Sequence, residues 1–157
     1  MKKNLFFVAY NYEMSKNVAA NVAEFFAMRL FDSIEMFEFN NVPRKLSDVL
    51  KECGREYVEK KMRSIVKMEF DFDDAVFVAP FEYFGGWSNL CKEINYQNLV
   101  IFLHEKSNKR VGDMNIDHKL KFLTDCCDIA IDVTDLQNDE ISDKVIEEIK
   151  NFYSLEV

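Results

Sequence analysis

Five runs rich in apolar residues, at 4–10, 31–39, 75–79, 99–103 and 129–133, recur along the chain with stretches of helical periodicity between them. Short runs such as Leu5, Phe6, Phe7, Val8, Ala9 suit a strand buried on both faces, which arises where helices cover both sides of a parallel sheet. After a polar turn at 11–15, Val18, Val22, Phe25 and Phe26 recur at helical spacing. A turn at 40–43 leads to a longer helical pattern through Leu46, Val49, Leu50, Tyr57, Val58, Met62, Ile65 and Val66, which Gly54 breaks in two. A helix can start at Ser88, and a closing helix capped by Asn138 or Asp139 carries Ile141, Val145, Ile149 and Phe152 on one face. Strands alternating with helices predict an α/β fold, a three-layer, doubly wound, five-stranded parallel sheet. With no repeat, linker or low-complexity segment, residues 1–157 read as a single domain. Ligands of such sheets sit beyond the carboxyl ends of the strands, so the turn at 10–17 is the first place to look for a site.

Charge and cysteine usage narrow the function classes. A net charge of −8 repels a phosphate backbone, so nucleic acid is not the expected partner. No apolar stretch approaches the roughly 20 residues of a membrane helix, and no charged-then-apolar leader of secretory type opens the sequence, so the expectation is a cytoplasmic protein without a membrane partner. Cys53, Cys91, Cys126 and Cys127 form no C-x-x-C pair and are expected as reduced thiols in or near the core. His104 and His118 have no Cys or His at ligand spacing, so no metal site is expected.

The order of several segments resembles shikimate kinase, a P-loop small-molecule kinase. From 4 to 32 the chain reads strand, loop, a helix with Ala23-Glu24, then a strand ending in Asp32. Leu46-Ser47-Asp48-Val49-Leu50 followed by Gly54-Arg55-Glu56-Tyr57 is similar to that family's second helical segment, where Gly-Glu-x-x-Phe-Arg follows a short apolar-acidic helix. The strand at 75–79 falls at the family's spacing from Gly54, and Asp128-Ile129-Ala130-Ile131-Asp132 with the Ile/Val-rich helix after it resembles the family's C-terminal end. Only the stretch between His104 and His118 is short by comparison. The resemblance implies the P-loop NTPase fold of the shikimate and nucleoside-monophosphate kinases, with ATP and Mg²⁺ as cofactors if the chain is active.

The same alignment implies an altered site. Gly-x-x-x-x-Gly-Lys-Ser/Thr works because glycine backbones approach the phosphates, the lysine reaches the β/γ oxygens and the hydroxyl holds Mg²⁺. Ala9, Met14, Ser15 and Lys16 stand at those four positions, and Tyr12 fills a further family glycine. Ser15, Lys16 and Asn17 remain phosphate-binding candidates if the register slides by one. Of the family's Asp-Thr-Asp only the first acid survives, in Asp32-Ser33-Ile34, leaving Asp32 as the sole catalytic candidate. Glu59 stands where an arginine would hold the substrate carboxylate, a charge reversal at a bidentate clamp. Phe81, Glu82 and Tyr83 replace three consecutive glycines, and Lys119 falls near a late arginine. Lys109 and Arg110 are the available lid cations. Glu59, Tyr83, Trp87 and Lys119 are thus the substrate-pocket candidates.

Three readings follow. The favoured one is a shikimate-kinase-like scaffold that has lost phosphoryl transfer and binds a small metabolite or another protein. The second is an active kinase with a displaced site, Lys16 and Asp32 serving phosphate and metal while Lys109 or Arg110 closes over them. The third is a flavodoxin-like FMN binder, suggested by the aromatic-glycine turn Tyr83-Phe84-Gly85-Gly86-Trp87. Trp87 is expected as a packed aromatic under a loop; otherwise Phe81, Tyr83, Phe84 and Trp87 would form an exposed patch for a protein partner.

Overall fold

The computed structural model describes residues 2–9, 11–40, 44–105, 122 and 125–156. Its five strands are β1 (Asn4–Ala9), β2 (Arg29–Asp32), β3 (Ala75–Pro80), β4 (Asn98–His104) and β5 (Ile129–Asp132), all parallel, in the order β2-β3-β1-β4-β5. Successive strand residues point to opposite faces, and each face of the sheet buries its own apolar set. Phe6, Val8, Phe77, Val100 and Phe102 project into one core, while Leu5, Phe7, Val76, Val78, Leu99 and Ile101 project into the other. The second core is closed by α1 (Tyr12–Phe26) and α7 (Asn138–Glu156). The first is closed by α2 (Ser33–Asn40), α3 (Leu46–Cys53), α4 (Arg55–Glu69), α5 (Phe84–Trp87) and α6 (Cys91–Gln97), with 3-10 turns on either side of α5. This is the expected three-layer parallel fold.

At the amino edge of the sheet, buried side chains replace missing ladder bonds. Asn4 Oδ1 accepts from Ala75 N at 2.9 Å and its Nδ2 donates to the Phe72 carbonyl at 2.8 Å. Asp128 Oδ2 accepts from Val100 N at 2.9 Å and pairs with Lys2 Nζ at 2.7 Å.

Several expectations are corrected. The run at 31–39 is not a strand. β2 stops at Asp32 because its carboxylate accepts from Ile34 N (3.0 Å) and Glu35 N (3.2 Å), which starts α2 instead. The turn at 11–15 is shorter than read, for α1 already begins at Tyr12. Residues 88–90 form a 3-10 turn and α6 starts at Cys91, while Asn138 is the first helical residue of α7 rather than its cap. The division at Gly54 holds. Its φ of 86° lies in the left-handed region, where a side chain would be strained, and its amide closes α3 on the Leu50 carbonyl.

Phe25 was expected on the apolar face of its helix but is 54% exposed. Cys91 and Cys126 are buried free thiols and Cys127 is half-buried, whereas Cys53 is exposed, away from the core. Phe81, Tyr83, Phe84 and Trp87 are all buried, which removes the exposed aromatic patch. A flavodoxin-like sheet has the order 2-1-3-4-5, so the observed order excludes that alternative. Among the described residues no helix is long and apolar enough to cross a membrane.

Candidate functional site

Between β1 and β3 the chain leaves the sheet in opposite directions, to α1 on one face and to the segment at 81–97 on the other. Such a switch point opens a crevice at the carboxyl ends of the strands. Three side chains meet there. Tyr12, the first residue of α1, places its hydroxyl within hydrogen-bond reach of Asp32 Oδ1 and, at 3.0 Å, of the Val78 carbonyl oxygen. Lys16, one helical turn further on, sets its Nζ 3.2 Å from Asp32 Oδ2. Asp32 is nearly buried, with a side chain 8% exposed against 42% for Lys16. Burial, with the Asp32 carboxylate beside it, holds the Tyr12 phenol far above its ordinary value, so it stays protonated. The hydrogen bond to Asp32 and the attraction of its charge raise Lys16 in turn, which keeps the ammonium charged.

The amino end of α1 is closed by its own cap. Asn11 Oδ1 accepts from Met14 N at 3.1 Å, and the Asn11 carbonyl accepts from Ser15 N at 3.0 Å. The Met14 amide, one of those a helix start can offer an anion, is therefore engaged, while the Ser15 bond is the first regular bond of the helix. Asn11→Ala should release the Met14 amide and cost about 1 kcal/mol, measurable as a lower denaturation midpoint with an unchanged slope.

Behind Asp32 lies a second polar group. Ser33 Oγ donates to Glu69 Oε1 at 2.6 Å in the buried space between α2 and the end of α4. Glu69 is 2% exposed and its Oε2 has no hydrogen-bond partner among the described residues. Burial is the main cause that pushes its carboxyl up to about 8, with the Asp32 charge adding to it and the Ser33 bond opposing it.

The crevice thus brings Lys16 and Asp32 together, and Ser15 lies beside them on α1 with a fully buried hydroxyl that has no partner among the described residues. Asn17 is exposed on the same helix. Of the substrate-pocket candidates, Glu59 and Tyr83 gather around Arg55. Glu59, half-buried on α4, accepts from Arg55 Nε at 3.1 Å. Arg55 also donates to the Glu82 carbonyl and lies 5.3 Å over the ring of Tyr83, whose phenol burial holds above its ordinary value. Trp87 is fully buried against Phe6, Phe84 and Phe122. Lys109, Arg110, Lys119 and His118 lie outside the described residues.

Two members of this site, Tyr12 and Glu69, escape sequence reading. Tyr12 registers only as a bulky residue at a glycine position, and its contact with Asp32 spans 20 positions. Glu69 carries a usable signal, since it falls on the stripe Met62, Ile65, Val66 at helical spacing, all of them buried.

The chain superposes along nearly its whole length on solved structures of shikimate kinases. The fold is that of the shikimate kinases. Shikimate kinase from Aquifex aeolicus vf5 superposes with a TM-score of 0.76, covering 96% of this chain and 98% of its own, at 8% identity. Shikimate kinase from Acinetobacter baumannii, solved in complex with shikimate, gives 0.75 over 96% and 94% at 10% identity. A de novo designed protein of P-loop NTPase fold gives 0.52 over 99% and 96% at 16% identity. No protein-family model and no curated protein sequence matches this chain. At such identities the likeness is one of fold, and function has to be argued from the site.

Proposed function

We propose that this chain is a shikimate-kinase-like scaffold without ATP-dependent phosphoryl transfer, acting by binding a small metabolite or another protein. One observation carries the reading: where a P-loop would cradle a triphosphate, α1 is already wound from Tyr12, and Tyr12 and Lys16 are both spent on Asp32. Phosphoryl transfer is catalysed almost wholly by positioning and charge stabilisation. The residues present do not fit a Mg²⁺-bound triphosphate. The Met14 amide is taken by the Asn11 side chain, a phenol occupies the crevice, and Lys16, the cation there among the described residues, neutralises a carboxylate. Asp32, committed to a phenol, an ammonium and two amides, has little capacity left for a metal ion. The placement of Glu59 adds to this, since a carboxylate already paired with Arg55 offers a substrate carboxylate nothing to bind.

The expected result is that neither millimolar ATP with Mg²⁺ nor shikimate shifts the unfolding temperature, and that no ADP forms when all three are present. A clear rise with ATP accompanied by ADP release would establish the displaced-site kinase instead, with Lys16 drawn off Asp32.

A further inference from the structure

Away from the crevice, α1 and α7 run side by side and leave a groove of about 570 Å³ between them. Its floor is a closed polar bridge: Asn21 Nδ2 donates to Ser142 Oγ at 3.0 Å, and Ser142 Oγ donates to the Asn138 carbonyl at 2.8 Å. Phe25 and Ile146 supply an apolar ledge, with Phe25 54% exposed although it is a large aromatic on a helix that otherwise buries its apolar face. Glu24, Asp139 and Asp143 rise around that ledge, and none of them makes an ion pair with another described residue.

One cation of the chain already packs at this ledge, the Lys150 ammonium 4.8 Å over the ring of Phe25, while the three carboxylates of the rim stay without an ion pair among the described residues. Carboxylates without an ion pair attract a partner's cations, and the exposed part of the ledge rewards an apolar anchor beside it. We infer that the α1–α7 groove docks a basic amphipathic segment of a partner protein, its lysines or arginines meeting Glu24, Asp139 and Asp143 and its apolar side packing on Phe25 and Ile146. A carboxylate rim facing cations would steer association and fix orientation, while the ledge supplies the packing. This surface is separate from the crevice, so the inference does not depend on whether the crevice takes a nucleotide.

The probe is a labelled helical peptide of about 14 residues, long enough to hold some helix, with leucines on one face and lysines on the other, titrated by fluorescence anisotropy and followed by amide NMR. Saturable binding is expected, with shifts confined to α1 after Asn17 and to the first half of α7. Reversal of the rim in E24K/D139K/D143K should weaken it by about tenfold or more, and F25A should also weaken it. Two controls make the result decisive. Reversal of three exposed carboxylates elsewhere, E56K/D71K/E93K, should have a much smaller effect, and spermidine should not compete at matched charge. Equal losses in the two triple variants would reduce the binding to the net charge of −8 and overturn the inference. So would full competition by spermidine, since a small cation would then suffice. Circular dichroism should show all variants folded, because exposed substitutions of this kind change stability by only about 0.5 kcal/mol; F25A keeps the inference testable if a triple variant does not fold.

Discussion

Glu69→Gln should abolish the contribution by which Glu69 lowers the stability of the chain as pH rises from about 4.5 to about 8. The folded protein holds the Glu69 proton up to about 8, whereas the unfolded chain releases it near 4.5. Between those values the unfolded state binds fewer protons, so unfolding free energy decreases with pH. The sign is opposite to that of a salt-bridged carboxylate. Below about 4.5 this group imposes no penalty; above about 8 the folded chain must carry a buried charge beside Asp32, or unfold. A buried carboxyl shifted this far corresponds to a loss of roughly 3–5 kcal/mol across the window. Glutamine keeps an acceptor for Ser33 and cannot ionise. The measurement is urea denaturation of both proteins between pH 4 and pH 9, read as their difference so that the remaining carboxylates cancel. The difference should grow with pH in favour of the variant and level off above 8; parallel profiles would mean that Glu69 is solvated or paired.

Trp87→Ala is expected to remove about 3–5 kcal/mol, the usual cost of emptying a large aromatic site. Trp87 packs edge-on against Phe6 on β1 at 5.8 Å, against Phe84 at 5.0 Å and against Phe122 at 6.1 Å, so its loss opens the core beneath α5. The cavity cannot close easily, because α5 is already pressed onto α4. A Cβ at Gly86 would come 2.7 Å from the Glu59 carbonyl carbon, so the two backbones are in contact. In a domain whose total stability is about 5–15 kcal/mol, the variant should be largely unfolded well below the native midpoint. Trp87→Phe should cost less, since it retains most of the ring packing and removes an indole N–H that has no partner among the described residues. Chemical denaturation followed by far-ultraviolet circular dichroism distinguishes the two. A loss under about 1 kcal/mol for the alanine variant would contradict the packing described.

How much of this was legible in the sequence depends on the range of the forces involved. Strands buried on both faces announce themselves as apolar runs, and β1, β3, β4 and β5 lie where those runs are. The run at 31–39 misled because apolar residues alone do not separate a short helix from a strand. The decision falls to Asp32, whose carboxylate holds the amides of Ile34 and Glu35 and turns the chain into α2. The absence of P-loop residues was readable, but what fills their place was not. Tyr12, Asp32 and the Val78 carbonyl converge from three elements, and no local pattern encodes that convergence. Glu69 sits in a helix rich in Lys, Arg and Glu, where a single buried acid is visible only through its phase with Met62 and Ile65.

Amide NMR of the uniformly labelled chain during titration with ATP and Mg²⁺ looks directly at the start of α1. The structure predicts that Met14, Ser15, Lys16 and Asn17 keep their resonances unmoved at millimolar nucleotide, with the Met14 amide still held by the Asn11 side chain and the Ser15 amide by the Asn11 carbonyl. Saturable shifts of these same amides, together with loss of the contact between Lys16 and Asp32, would contradict it and restore a nucleotide to the crevice.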